Sequence, residues 1–213
     1  MREWFNRQSW KDCVSEMVPR VRIPLSPPEN FMKNITFITG NQNKADRMSE
    51  SLGIELAHQK IDLDEIQSLD TKKIVEHKVK QAYDQLQSPV IVEDTWLQFE
   101  AMNGLPGPFI KFFLDNMPFQ DICDLLNGKS RKARAGAVFG YYDGQVMKIM
   151  ESGLDGTIAQ HPAGDGGWGW DQFFIPDGYA ITRAQMSEED YQKTYLQIKP
   201  FADLKNFLST IND

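Results

Sequence analysis

The chain has 213 residues, 30 Asp and Glu against 23 Lys and Arg, and a formal charge of −7. An acidic balance excludes a general phosphate-backbone binder, which needs a basic face, and no stretch approaches the roughly 18 apolar residues of a membrane span. Neither a nucleic-acid polymer nor a membrane is therefore expected as a partner. Two cysteines, Cys13 and Cys123, are too few for a disulfide scaffold or a zinc cluster. With no secretory apolar segment, the expected compartment is the cytoplasm.

Residues 1–31 stand apart from the rest. Pro19, Pro24, Pro27 and Pro28 fall close together and suit no element interior. Glu3, Asp12 and Glu16 break the acid-poor composition of a transit peptide. The run Val21-Arg22-Ile23-Pro24 can be back-translated into the T-loop of a transfer RNA gene. We expect residues 1–31 to be a non-native extension, upstream sequence read as protein, or else a disordered one, with the domain spanning 32–213. A native N-terminal peptide beginning before Met32 refutes that expectation.

From Met32 on, elements follow in a regular order. Ile35–Ile38 is a short β-branched run, broken by Thr39-Gly40-Asn41. Ala45, Met48 and Leu52 are at helical spacing, and Gly53 suits the position after a helix end. Ile54–Ile61 reads as a second strand. Asp70 can cap a helix whose face is Val75, Val79, Ala82 and Leu86. Val90-Ile91-Val92 is a continuous apolar strand, as in a sheet covered on both faces, and Glu93-Asp94-Thr95 ends it. This β-α-β-α-β start predicts an α/β sheet. Helices are expected over Phe109–Met117, Ile122–Leu126 and Ala202–Ile211, and Asp143-Gly144 predicts a hairpin between Ala133–Tyr142 and Gln145–Ser152.

Three places carry possible chemistry. Thr39-Gly40-Asn41-Gln42-Asn43-Lys44 joins a buried strand to a helix start, where backbone N–H groups and a lysine favour an anion. It is equally an ordinary strand-to-helix turn with a solvated lysine. Acids at strand ends, Asp62, Asp64, Glu65, Glu93 and Asp94, face the crevice where α/β sheets bind ligands. Hard oxygen donors there suit Mg²⁺ and a phosphate substrate, although Asp62 and Asp64 also fit a solvated turn. Gly166-Gly167-Trp168-Gly169-Trp170-Asp171 can wrap a planar ligand or plug an apolar surface. His58, His77 and His161 lack metal-ligand spacing, and Cys123, between Ile122 and Leu126, reads as core.

Taken together and in order, Thr39-Gly40-Asn41-x-x-Lys44, Asp62-Leu63-x-Glu65, Val92-Glu93-Asp94-Thr95, Gly104-Leu105-Pro106-Gly107-Pro108-Phe109-Ile110-Lys111-Phe112-Phe113-Leu114, Gly167-Trp168-Gly169-Trp170-Asp171 and Pro176-Asp177-Gly178-Tyr179 resemble the inosine triphosphate pyrophosphatase family. The resemblance implies an elongated mixed α/β sheet with flanking helices and two lobes around a nucleotide-binding cleft. It implies a homodimer that hydrolyses deaminated purine nucleoside triphosphates (ITP, dITP, XTP) to the monophosphate and pyrophosphate with Mg²⁺, Mn²⁺ being the other candidate. It also implies residue roles. Thr39, Gly40, Asn41, Gln42, Asn43 and Lys44, with Lys78, Thr95, Lys111 and Lys193, would bind the substrate, chiefly its phosphates. Glu65 and Asp94 would hold the metal, with Asp94 and Lys44 catalytic. Trp168 would stack on the base, completed by Gly169, Trp170 and Asp171. One departure is evident: where the family carries Ser-His-Arg before its last helix, this chain reads Gln197-Ile198-Lys199. Lys199 or Gln197 is then the expected donor to the base, with relaxed base selectivity or lost turnover as the alternatives.

Overall fold

A computed structural model of the chain describes residues 34–211; the expectation for residues 1–31 lies outside them. Strand β1 (Thr36–Ile38) runs through a Thr39–Asn41 turn into helix α1 (Gln42–Leu52). The Asn41 side chain accepts from the Lys44 N–H, and Gly53 closes the helix at φ 72°, a left-handed conformation that glycine adopts without Cβ strain. After β2 (Ala57–Gln59), helix α2 (Thr71–Leu86) starts at Asp70, whose side chain accepts from the Lys72 N–H. Then come β3 (Val90–Phe99), β4 (Pro106–Gly107), α3 (Ile110–Asn116), α4 (Phe119–Asp124), β5 (Lys132–Tyr142), β6 (Met147–Ile158), β7 (Phe174–Pro176), α5 (Glu188–Ile198) and α6 (Phe201–Thr210).

The sheet is mixed, in the order β2-β1-β3-β5-β6-β7, with β4 paired to β3. β1 lies parallel to β2 and β3, whereas β3, β5, β6 and β7 pair antiparallel. At the parallel end, α1 and α6 cover one face, with Met48 and Leu204 packed in one core with Phe37 and Phe139 of the sheet. Helix α2 covers the other face with Val75, Val79 and Ala82. At the antiparallel end a separate core gathers Leu97, Phe99, Ile122, Cys123 and Phe173. These cores form the two lobes, and β3, β5 and β6 run through both.

Gly136, Gly140 and Gly153 are among the glycines that allow close approaches. Trp96, Gly136 and Gly153 face one another across β3, β5 and β6, and the indole of Trp96 lies over both glycines. A Cβ on Gly136 would fall 2.2 Å from Trp96 Cζ2 and 2.5 Å from the Ser152 carbonyl oxygen. A Cβ on Gly140 would meet Val75 and Val79 of α2 at 2.5 and 2.7 Å.

Three expectations need correction. β2 is three exposed residues rather than a strand over Ile54–Ile61, as befits an edge strand. β3 does not end at Glu93-Asp94-Thr95 but continues to Phe99, because β5 pairs with it along its whole length. And α5, absent from the expectations, fills 188–198.

Gly136→Ala is expected to destabilise the fold by about 1–3 kcal/mol, because indole and backbone must both shift; a lowered urea midpoint with unchanged m-value checks it.

Candidate active site

β1 ends in register with Val92, so the next two residues of β3 lie beside the start of the Thr39–Asn41 turn, unpaired on that side by β1. Consecutive strand residues point to opposite faces. Glu93 and Asp94 therefore enter different surroundings.

Glu93 turns toward α1 and α5. Its Oε1 accepts a 2.8 Å bond from Lys199 Nζ and pairs with Lys44 Nζ at 3.3 Å. Burial alone pushes its pKa up. The charges of Lys199 and Lys44 and their hydrogen bonds outweigh that, bringing it down to about 2. Glu93 is thus a fully buried carboxylate held ionised by two ammonium groups.

Asp94 turns the other way, toward α2. Lys78 Nζ donates to Asp94 Oδ2 at 2.9 Å and to Glu65 Oε1 at 2.7 Å, so the two acids converge on one ammonium. Asp94 Oδ1 accepts from the Thr95 N–H at 2.9 Å. The hydrogen bond from Lys78 lowers the Glu65 pKa despite partial burial, and exposed Lys111 on α3 adds a weaker pull. Burial pulls Lys78 down, but Asp94 and Glu65 together raise its pKa and keep it charged.

Beside Glu93 opens a cleft of about 580 Å³, ample for a small ligand. Asn41, Asn43, Lys44, Thr95 and Trp168 line it. The 3₁₀ turn Gly169–Gln172 sets Trp168, which is 52% exposed, edge-to-face with Trp170 (centroids 5.5 Å apart, planes at 74°). Asp171 ties this loop together. It accepts from the Trp168 N–H at 2.7 Å and from the Tyr191 hydroxyl at 3.0 Å, and pairs with Arg183 Nε at 2.9 Å, an ion pair out of line for a hydrogen bond. A Cβ on Gly167 would fall 2.5 Å from Asp171 Oδ2, at φ 70°. A Cβ on Gly169 would meet Leu114 at 3.0 Å. Burial and the Asp171 charge push the Tyr191 hydroxyl up to about 12.

The structure therefore brings the sequence candidates together in two groups. Glu65, Lys78 and Asp94 form one, with Lys111 nearby. Asn41, Asn43, Lys44, Thr95, Trp168, Asp171 and Lys199 belong to the cleft. Thr39 and Gly40 lie in the turn, where Thr39 Oγ1 accepts from the Asn41 N–H. Gln42 is turned aside, its amide donating to Asp46 at 2.7 Å. Three placements depart from expectation. Lys193 sits on the exposed face of α5, paired with Glu189 at 2.9 Å, and does not reach the cleft. Trp170 is only 5% exposed and packs mainly into a core. Lys199 is spent on Glu93 rather than free for a base. The sequence reading missed Arg47, Arg183, Tyr191 and Tyr195, which also line the cleft; they come from three elements, α1, the 3₁₀ turn Arg183–Gln185 and α5, with no shared motif.

A Ham1 family profile matches residues 35–207. The chain belongs to the Ham1 family. Among its relatives, an inosine triphosphate pyrophosphatase of Schizosaccharomyces pombe is 35% identical over 185 residues, 84% of this chain and 97% of the relative. Inosine triphosphate pyrophosphatase 2 of Trypanosoma cruzi is 38% identical over 176 residues, covering 80% of this chain and 90% of the relative. A dITP/XTP pyrophosphatase of Thermococcus kodakarensis is 32% identical over 178 residues, 82% and 96% of the two chains. In fold, a HAM1 protein from Coxiella burnetii superposes with a TM-score of 0.71 over 84% of this chain and 98% of its own, at 23% identity.

Because the pKa of Glu93 is depressed on folding, the stability it contributes is full above the unfolded carboxylate value of 4.5 and is lost as pH falls toward about 2. Lys199→Met, which leaves that carboxylate short of a partner, is expected to cost about 3 kcal/mol or more at pH 7. The deficit should shrink as pH drops through this window, as measured by urea unfolding of both proteins at each pH.

Proposed function

We propose that this chain hydrolyses ITP, dITP and XTP to the nucleoside monophosphate and pyrophosphate, clearing deaminated purine nucleotides from the pool. The convergence of Glu65 and Asp94 on Lys78 carries the reading. Family membership and the names of the relatives support it.

The donor set fits a hard divalent cation such as Mg²⁺, with Mn²⁺ as the near substitute. Glu65 and Asp94 offer carboxylate oxygens, and no group of three metal-ligating side chains occurs among the described residues. Such a site holds the ion through one or two carboxylates and completes its shell with substrate phosphates and water. When bound, the ion supplies charge neutralisation on the phosphate oxygens as pyrophosphate departs.

The remaining steps belong to the chain's own groups. Lys44, with the Asn41 and Asn43 side chains at the start of α1, receives phosphate oxygens at a helix N-terminus, where an anion is favoured. Lys78 and exposed Lys111 add positive charge toward the leaving pyrophosphate. Asp94 accepts hydrogen bonds only, and its fixed orientation lets it align a water and take its proton as that water attacks phosphorus. Trp168 presents an exposed ring to the base, and the Asp171 ties hold it there.

The chain works as a homodimer in this reading, with Leu105 and Phe112, 40% and 61% exposed, as apolar surface for a partner. It acts in the cytoplasm, where a free buried thiol such as Cys123 stays reduced.

Pyrophosphate release from ITP with Mg²⁺ tests the reading, and chelation of the metal should abolish it. Asp94→Asn is expected to lower kcat by roughly 10²- to 10⁴-fold with the fold intact. Near-normal turnover would remove Asp94 from its role. Trp168→Ala should raise KM by about tenfold or more through lost stacking, with a smaller change in kcat.

A further inference from the structure

Four cations line the cleft: Lys44, Arg47, Arg183 and Lys199. Lys44 and Lys199 are paired with Glu93, and Arg183 with Asp171. Arg47 differs. Among the described residues its side chain makes no ion pair or hydrogen bond, and its Nη1 is buried without a partner. Its guanidinium rests on two aromatic faces, 5.4 Å from the Tyr191 ring centre and 5.3 Å from that of Tyr195. A buried, unmet donor is costly, so a group that turns up in a ligand cleft in this state is poised for a ligand acceptor.

The position of Arg47 says which part of the ligand it meets. It lies one turn beyond Lys44 on α1, away from the phosphate-receiving start of the helix. The Tyr191 ring beneath it donates its hydroxyl to Asp171, the residue that fixes the Trp168 backbone. Arg47 is thus linked through Tyr191 and Asp171 to Trp168, the ring that the proposed function gives to the base. It is also free where Lys199 is not: Lys199 Nζ is held by Glu93 at 2.8 Å.

We infer that Arg47 is the residue that reads the base, donating to the O6 and N7 acceptors of a 6-keto purine and so discriminating against adenine. The inference rests on the pyrophosphohydrolase reading above. A guanidinium has five donors and no acceptor. Its fork matches the paired acceptors on the edge of hypoxanthine, xanthine or guanine, whereas adenine offers an amino donor at the same place. Contact with the two tyrosine rings restricts the side chain and so limits the rotamers it can lose on binding. Arg47 therefore sorts 6-keto from 6-amino purines and does not separate ITP from GTP.

Arg47→Met and Arg47→Lys test this against the unmodified protein in two assays: kcat/KM for ITP, GTP and ATP, and calorimetric binding of IMP and AMP, which needs no turnover. Arg47→Met should lower the ITP-to-ATP ratio of kcat/KM by about 10- to 100-fold, through KM and at the expense of ITP, with GTP falling alongside ITP. The IMP-to-AMP binding ratio should fall by a similar factor. Arg47→Lys, which keeps one charge but loses the fork, should fall between. An equal loss on ITP and ATP would mean a phosphate contact or a structural role and would overturn the inference, as would unchanged ratios. If the unmodified protein releases no pyrophosphate from ITP, the proposed reaction fails by itself. The IMP and AMP titrations then still decide Arg47: equal binding of the two, or binding of neither, overturns it.

Discussion

Two adjacent carboxylates on one strand, leaving the sheet by opposite faces, organise this molecule. β1 stops beside Val92, and the next two residues of β3, no longer flanked by it, are Glu93 and Asp94. Strand alternation then forces one acid into the α1/α5 side and the other into the α2 side. A charge at the edge of a core is tolerated only with partners. Each acid therefore dictates where lysines must stand: Lys44 and Lys199 around Glu93, Lys78 between Asp94 and Glu65.

The two acids do different work. Glu93, fully enclosed, draws together the start of α1 and the segment between α5 and α6, distant in sequence. In doing so it fixes the walls of the cleft and the approach of Arg47 to Tyr191 and Tyr195. A buried ion pair of this kind adds little net stability over apolar packing; its effect is to hold the elements in one arrangement. Asp94 is one-fifth exposed and keeps oxygen atoms within reach of a ligand. A single sheet register thus yields one enclosed acid that holds the architecture and one accessible acid, to which the proposed function gives the chemistry.

Much of the fold is legible in the sequence because its signals are local. Gly53 ending α1, Asp70 starting α2 and Asp143-Gly144 turning β5 into β6 each act through a hydrogen bond within a few residues; Asp143 Oδ1 accepts from the N–H groups of Gln145 and Val146. What the sequence hides depends on distant partners. The charged pair at Glu93 interrupts the apolar run of β3, so only pairing with β5 reveals the strand's length. Helix α5 carries its cap at Ser187 and acids in its first turn, but its inward face is Tyr191, Thr194, Tyr195 and Ile198, too polar to read as an apolar stripe.

The site is legible to a similar degree. Glu65 and Asp94 stand in motifs, Lys78 is implied by the family resemblance, and the three, far apart in sequence, do meet. The base end is less so. Lys199 looks available in sequence and is consumed by Glu93, Lys193 points to solvent, and Arg47 gives no local sign of its role, since that role arises from the tyrosines of α5 packed against it. Sequence motifs record which residues belong to a family; they do not record which charges are already paired.

The account stands or falls on which phosphoric anhydride bond the acid pair addresses. Phosphorus NMR of ITP treated with the Mg²⁺-loaded protein reads this directly. The account predicts IMP and pyrophosphate in equal amounts, with no build-up of IDP or orthophosphate. Release of IDP with orthophosphate would show cleavage at the terminal phosphate and contradict it.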